Sequence, residues 1–81
     1  MEIEKSETVA ASLASRNIGD AELLEVIRHG EDTGQKFYHP EQGLFLAYKR
    51  LGEASYYVLY SLEEPKYIIH SAYWHKSELK S

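Results

Sequence analysis

At 81 residues and 9.3 kDa the chain forms one domain at most, and a chain of this size buries roughly 60 to 65% of its unfolded surface, so it rests on a small core. The absence of cysteine excludes a disulfide scaffold and a thiolate metal site and fits a reducing cytoplasm, while 13 acidic against 9 basic residues give a net charge of −4 that disfavours a polyanion-binding surface. No apolar run approaches ~18 residues and the acidic N-terminus does not read as a signal peptide, so the expectation is a cytoplasmic protein that neither spans a membrane nor carries an address.

Met1 to Lys5 reads as a charged tail with only Ile3 to bury. Ser6 is placed to cap a short helix running to about Asn17, whose apolar stripe, Val9 and Leu13 with Ala10 and Ala14 beside them, is thin. Asn17-Ile18-Gly19-Asp20 breaks that pattern. A second helix then follows, capped by Asp20, with Glu22 in its first turn, Arg28 and His29 in its last and Gly30 just beyond. Leu23, Leu24, Val26 and Ile27 form its buried face.

From Gln35 the apolar period changes from 3.6 to 2, and tyrosine, phenylalanine, valine and isoleucine replace alanine and glutamate. Turn signals at His39-Pro40-Glu41-Gln42-Gly43, Gly52-Glu53-Ala54-Ser55 and Glu63-Glu64-Pro65-Lys66 cut this half into strands near 36–39, 44–51, 56–62 and 67–75. Connections this short make neighbouring strands antiparallel. The expected fold class is α+β: two N-terminal helices packed on one face of a four-stranded antiparallel β-meander. The domain would span residues 6–76, between flexible tails at 1–5 and 77–81.

All ten aromatic residues lie between Phe37 and Trp74, whereas residues 1 to 36 hold eight acidic and four basic side chains and so carry the whole net charge. On a regular last strand, Ile68, His70, Ala72 and Trp74 share one face and Tyr67, Ile69, Ser71, Tyr73 and His75 the other. On the third, Tyr56, Val58, Tyr60 and Leu62 oppose Tyr57, Leu59 and Ser61. Neither face is polar, and two helices cover only one. The other is therefore expected to be an exposed, half-apolar binding surface, with Tyr48, Tyr56, Tyr60, Tyr67 and Tyr73 as its residues.

The four histidines are the candidates for acid–base work near neutral pH. His29 is explained by the helix dipole and His39 by turn geometry, and the odd spacing of His70 and His75 sends them to opposite faces of a regular strand, so no metal site is expected. His70 reads as a hydrogen-bonded, semi-buried residue and His75 as the more accessible of the two. Arg50 and Tyr48 share a face of the second strand. If it adjoins the Tyr73 and His75 face, an Arg, Tyr and His group converges that could hold a phosphate and move a proton during metal-free RNA cleavage. The catalytic candidates are thus His75, His70 and Arg50. There is no phosphate-binding glycine loop, no Gly-x-Ser-x-Gly and no nucleophile with an identifiable base, and no cofactor is implied.

With the helix Gly19-Asp20-Ala21-Glu22-Leu23-Leu24-Glu25-Val26-Ile27-Arg28-His29-Gly30 followed by a strand meander, the chain resembles small bacterial domains of the barnase and RelE ribonuclease-toxin fold group, over roughly residues 16 to 75. The resemblance implies a sheet face on which Arg, Lys, His and Tyr act, which here directs attention to Arg50, Tyr73 and His75. Members of that group are basic and this chain is acidic. That departure favours a non-catalytic relative or a protein-interaction module, binding a protein partner or a second copy of itself, over an RNA-binding or RNA-cleaving one.

Overall fold

The structure, a computed structural model, describes residues 2–76. It is an α+β domain in which β1 (Glu2–Lys5), α1 (Glu7–Ser15) and α2 (Asp20–Thr33) precede β2 (Lys36–His39), β3 (Leu44–Leu51), β4 (Ala54–Glu63) and β5 (Lys66–Lys76). The five strands form one mixed sheet in the order β1-β5-β4-β3-β2. Among the described residues no helix is long and apolar enough to cross a membrane.

The four-strand expectation is corrected at one edge. Glu2–Lys5, read as a tail, is a strand that pairs in parallel with Lys66–Ile69. Parallel neighbours require a long crossover, and here nearly the whole chain supplies it. Ile3 pairs with Tyr67 and packs against the core, while Lys66 bonds Glu4 at 2.9 Å. Residues 77–81, expected as a second tail, lie outside the described residues.

α1 begins as expected, with the Ser6 hydroxyl accepting the Val9 N–H at 3.2 Å, and ends in a Schellman turn. Asn17 takes the left-handed conformation (φ 59°), Asn17 N–H bonds Ala14 O at 3.1 Å and Ile18 N–H bonds Leu13 O at 2.9 Å, which brings buried Ile18 against buried Leu13. The boundaries of α2 differ from expectation at both ends. Gly19, not Asp20, is the N-cap, and Glu22 reaches back to accept its N–H at 2.8 Å. The helix continues through Gly30 to Thr33, where Gly34 (φ 77°) closes it, so His29 lies a turn short of the end. Gly30 is an interior helix residue because of a close approach: a Cβ there would lie 3.0 Å from the Ala47 Cβ.

Along β4 and β5 the register shifts. Leu59 pairs with Ser71 and Tyr60 with Ile69, leaving His70 as an extra residue, a β-bulge. The bulge inverts the alternation of β5 at its middle. Tyr67 and Ile69 before it, and Ala72 and Trp74 after it, all pair with the β4 residues that face the helices, Leu62, Tyr60, Val58 and Tyr56. The strict two-residue alternation expected for β5 holds only on either side of His70.

The core lies between this inner face and the helices: Leu13, Ile18, Leu23, Val26 and Ile27 against Ala47, Val58, Tyr60, Ile69 and Ala72. α1 packs on β5 and α2 on β3 and β4. The end of α1 is tied to β5 twice, by Arg16 Nη1 to Ala72 O at 2.6 Å and by Trp74 Nε1 to Arg16 O at 2.8 Å.

Tyr60 is the largest fully buried side chain. Its hydroxyl donates to Glu31 Oε2 at 2.7 Å, and Lys36 Nζ bonds the same oxygen at 2.6 Å while lying 4.5 Å from the Phe45 ring centroid. Burial, followed by the Glu31 carboxylate, pushes the Tyr60 hydroxyl far above its ordinary pKa. For Glu31 burial acts upward, but the hydrogen bonds from Lys36 and Tyr60 together with the Lys36 charge outweigh it, and its carboxyl sits below the usual range. A carboxyl depressed in the folded state stabilises it above the unfolded-state pKa and loses that contribution as pH falls through the folded value. Glu31→Gln is therefore expected to be less stable than the parent at pH 7 by about 1 kcal/mol. That gap closes as the pH drops below the ordinary carboxylate range, and urea unfolding over a pH series would measure it.

Candidate functional site on the outer sheet face

The sheet face turned away from the helices carries an aromatic ladder. Phe37 of β2 stacks on Tyr48 of β3 (centroids 5.9 Å, planes 18° apart) and Tyr48 on Tyr57 of β4 (6.3 Å, 27°). Tyr57 in turn stacks on Tyr73 of β5 (4.9 Å, 14°) and on the His75 imidazole (5.6 Å, 13°). The pairing explains the ladder: Tyr48 is directly opposite Tyr57, and Tyr57 directly opposite Tyr73, so rings on adjacent strands meet in the offset-stacked geometry that aromatic pairs prefer. The bulge at His70 makes this alignment, because it turns Tyr73 and His75 outward while leaving Tyr67 and Ile69 inward. Phe37 and Tyr73 are 59% and 44% exposed at the ladder's ends, and Tyr57 is half-buried between its neighbours.

Beside the ladder runs a polar row. Arg50 pairs with Ser55, and Ser55 with His75, which places the Arg50 and His75 backbones two strands apart, about 10 Å. The convergence expected of Arg50, Tyr48, Tyr73 and His75 is therefore present on one face. Arg50 donates its Nε–H to Gly52 O at 3.1 Å and has no carboxylate partner among the described residues. The outer-face acids Glu2, Glu4 and Glu63 gather at the far corner around Lys66, whose pKa is raised by its hydrogen bond to Glu4.

His70 does not join this group. Its Nε2 lies 2.9 Å from Ser61 Oγ, and it stands five residues from His75, about 16 Å along the strand. The bulge brings both histidines to the outer face, contrary to the opposite-face expectation, but too far apart to share an ion. Among the described residues no three His, Asp or Glu side chains cluster as metal ligands would.

The tyrosine assignment needs the largest correction. Of the five expected on the binding surface, only Tyr48 and Tyr73 are there. Tyr60 is wholly buried, and Tyr56 and Tyr67 lie on the helix side, packed against the core. Tyr56 stacks with Trp74 at 6.2 Å, and Tyr67 meets Tyr60 edge-on at 5.4 Å; burial pushes the Tyr67 hydroxyl upward. Tyr57 and Phe37, absent from the expected set, are the centre and one end of the ladder. One sequence signal points to Tyr57: its strand face carries Ser61, whereas the opposite face carries Val58, Tyr60 and Leu62 and is the more apolar of the two.

Comparison with protein-family models, with curated proteins and with solved structures finds no match to this chain.

Proposed function

We propose that the chain is a non-catalytic protein-interaction module that binds through the Phe37, Tyr48, Tyr57 and Tyr73 ladder. The observation that carries this reading is how the rings use their faces. A platform for single-stranded nucleic acid offers open ring faces to bases within a cationic groove. In this ladder the ring faces are turned to one another across four strands, and what remains for a ligand is ring edges, tyrosine hydroxyls and the outer flanks of Phe37 and Tyr73 at the two ends. Rigid aromatic area with polar tips is the composition of protein-interface hot spots.

Tyr57, stacked on three rings, is the predicted hot spot. Tyr57→Ser should weaken partner binding at least ~30-fold, matching the 2 kcal/mol or more of a hot-spot residue, with an unchanged far-ultraviolet circular dichroism spectrum. The experiment is sedimentation equilibrium at rising concentration, for a second copy, together with quantitative capture from cell extract by parent and Tyr57→Ser proteins. Species retained equally by both would overturn the reading.

The row of Arg50, Ser55 and His75 supports a second reading, metal-independent RNA cleavage, with Arg50 on a phosphate and His75 moving a proton beside Tyr73. Cleavage of RNA by the folded parent, lost in His75→Ala, would establish it in place of the first.

A further inference from the structure

Among the described residues, half of β3 has one uncovered flank. β2 pairs with β3 only from Leu44 to Ala47, so Tyr48, Lys49, Arg50 and Leu51 have β4 on one side and, among the described residues, no strand on the other. Alternate residues of an antiparallel strand direct their N–H and C=O groups to alternate sides, and those pointing away from β4 meet no other backbone among the described residues. The comparable stretch of β5 beyond β1 is engaged at two points by the end of α1, with Arg16 Nη1 on Ala72 O and Trp74 Nε1 on Arg16 O. Proteins normally cover such edges because they recruit strands.

A groove of about 490 Å³ lies at this end of β3 and reaches across to β4, lined by His29, Gln35, Tyr48, Lys49, Arg50, Ser55 and Tyr57, and no acidic residue lines it. In a chain with 13 acidic and 9 basic residues this is a local inversion of charge. Lys49 is engaged by Glu25 of α2 at 2.9 Å, which leaves Arg50 as the cation open to a ligand. His29 Nδ1 is buried beside the groove without a hydrogen-bond partner.

Resting on the reading of the chain as a protein-interaction module, we propose that an extended acidic peptide of a partner protein adds to Tyr48–Leu51 as a sixth strand. Its main chain bonds the open edge of β3. On the outer face, an acidic side chain meets Arg50, and two positions away along the peptide an apolar or aromatic side chain meets Tyr48, since residues two apart share a face. A second copy is a poorer occupant: antiparallel pairing of Tyr48–Leu51 with itself about its centre would set Lys49 of each copy opposite Arg50 of the other, with like charges opposed.

The test is selection of random linear heptapeptides on the immobilised full chain. The expected outcome is enrichment of peptides with Asp or Glu two positions from an aromatic or β-branched residue. Titrated into the ¹⁵N-labelled chain, such a peptide should shift the amides of Tyr48 to Leu51. Its binding should fall at least tenfold with Arg50→Glu, and equally when alternate peptide nitrogens are methylated, which removes main-chain donors but leaves the side chains. Enriched peptides without acidic residues, shifts elsewhere, indifference to N-methylation, no enrichment at all, or self-association of the chain abolished by Arg50→Glu would each overturn it. If this selection fails while a partner is still lost in Tyr73→Ser, a ladder residue outside the groove, the groove assignment falls and the module reading stands; the reverse pattern retires the ladder alone.

Discussion

Tyr60→Ala is expected to remove about 3 to 5 kcal/mol of stability, the range for truncating a fully buried large aromatic residue. A domain of this length has roughly 4 to 12 kcal/mol in all. The ring is wholly buried, stacked on Phe45 at 5.5 Å and met edge-on by Tyr67, so its loss opens a cavity on the inner face. It also takes one hydrogen bond from Glu31, a half-buried carboxylate that keeps only Lys36. Tyr60→Phe separates the two effects, retaining the ring and costing about 1 kcal/mol for the hydroxyl. Urea unfolding followed through Trp74 fluorescence would resolve both variants, and a loss below about 2 kcal/mol for Tyr60→Ala would contradict the packing described.

Gly30→Leu is the second large effect. Glycine in a helix interior ordinarily costs up to about 1 kcal/mol relative to alanine, so substitution would stabilise α2 if the helix stood alone. Here the space is occupied. A Cβ at position 30 lies 3.0 Å from the Ala47 Cβ and 3.5 Å from both Gln35 O and the Lys36 Cβ, and none of these atoms is the far end of a flexible side chain. The longer side chain must lever α2 off β3, at a cost of about 3 kcal/mol, the upper part of the overpacking range. The thermal midpoint should fall by roughly 12 to 24 °C. Gly30→Ala should fall less, and adding Ala47→Gly should restore part of it, since the clash is between those two positions; failure of the pair to couple would place the helix farther from the sheet.

How much of this was legible in the sequence depends on the range of the interaction concerned. α1, its Ser6 cap, the four antiparallel strands and their three turns follow from local chemistry: hydroxyl capping, a change of apolar period, and Pro and Gly at turn positions. β1 does not. Its four residues hold one apolar side chain, and its partner, Lys66–Ile69, lies more than 60 residues away. Gly30 has the local signature of a helix stop, and only the proximity of Ala47 accounts for it inside α2. The tyrosines were harder still, because adjacent tyrosines such as Tyr56 and Tyr57 must point oppositely, and their choice of side rests on which face α1 and α2 cover. The convergence of Arg50, Tyr73 and His75 depended on a condition, the adjacency of two strand faces, that strand order and the His70 bulge satisfy.

That bulge divides β5 into two stretches of opposite phase. Before His70 the odd-numbered positions, Tyr67 and Ile69, face the helices; after it the even-numbered ones, Ala72 and Trp74, do. The single extra residue is thus what allows one strand to supply aromatic side chains to two different environments, Tyr67 to the interior and Tyr73 to the surface, although both numbers are odd. A chain shortened by that one residue could satisfy its core or its ladder along β5, but no single register would satisfy both.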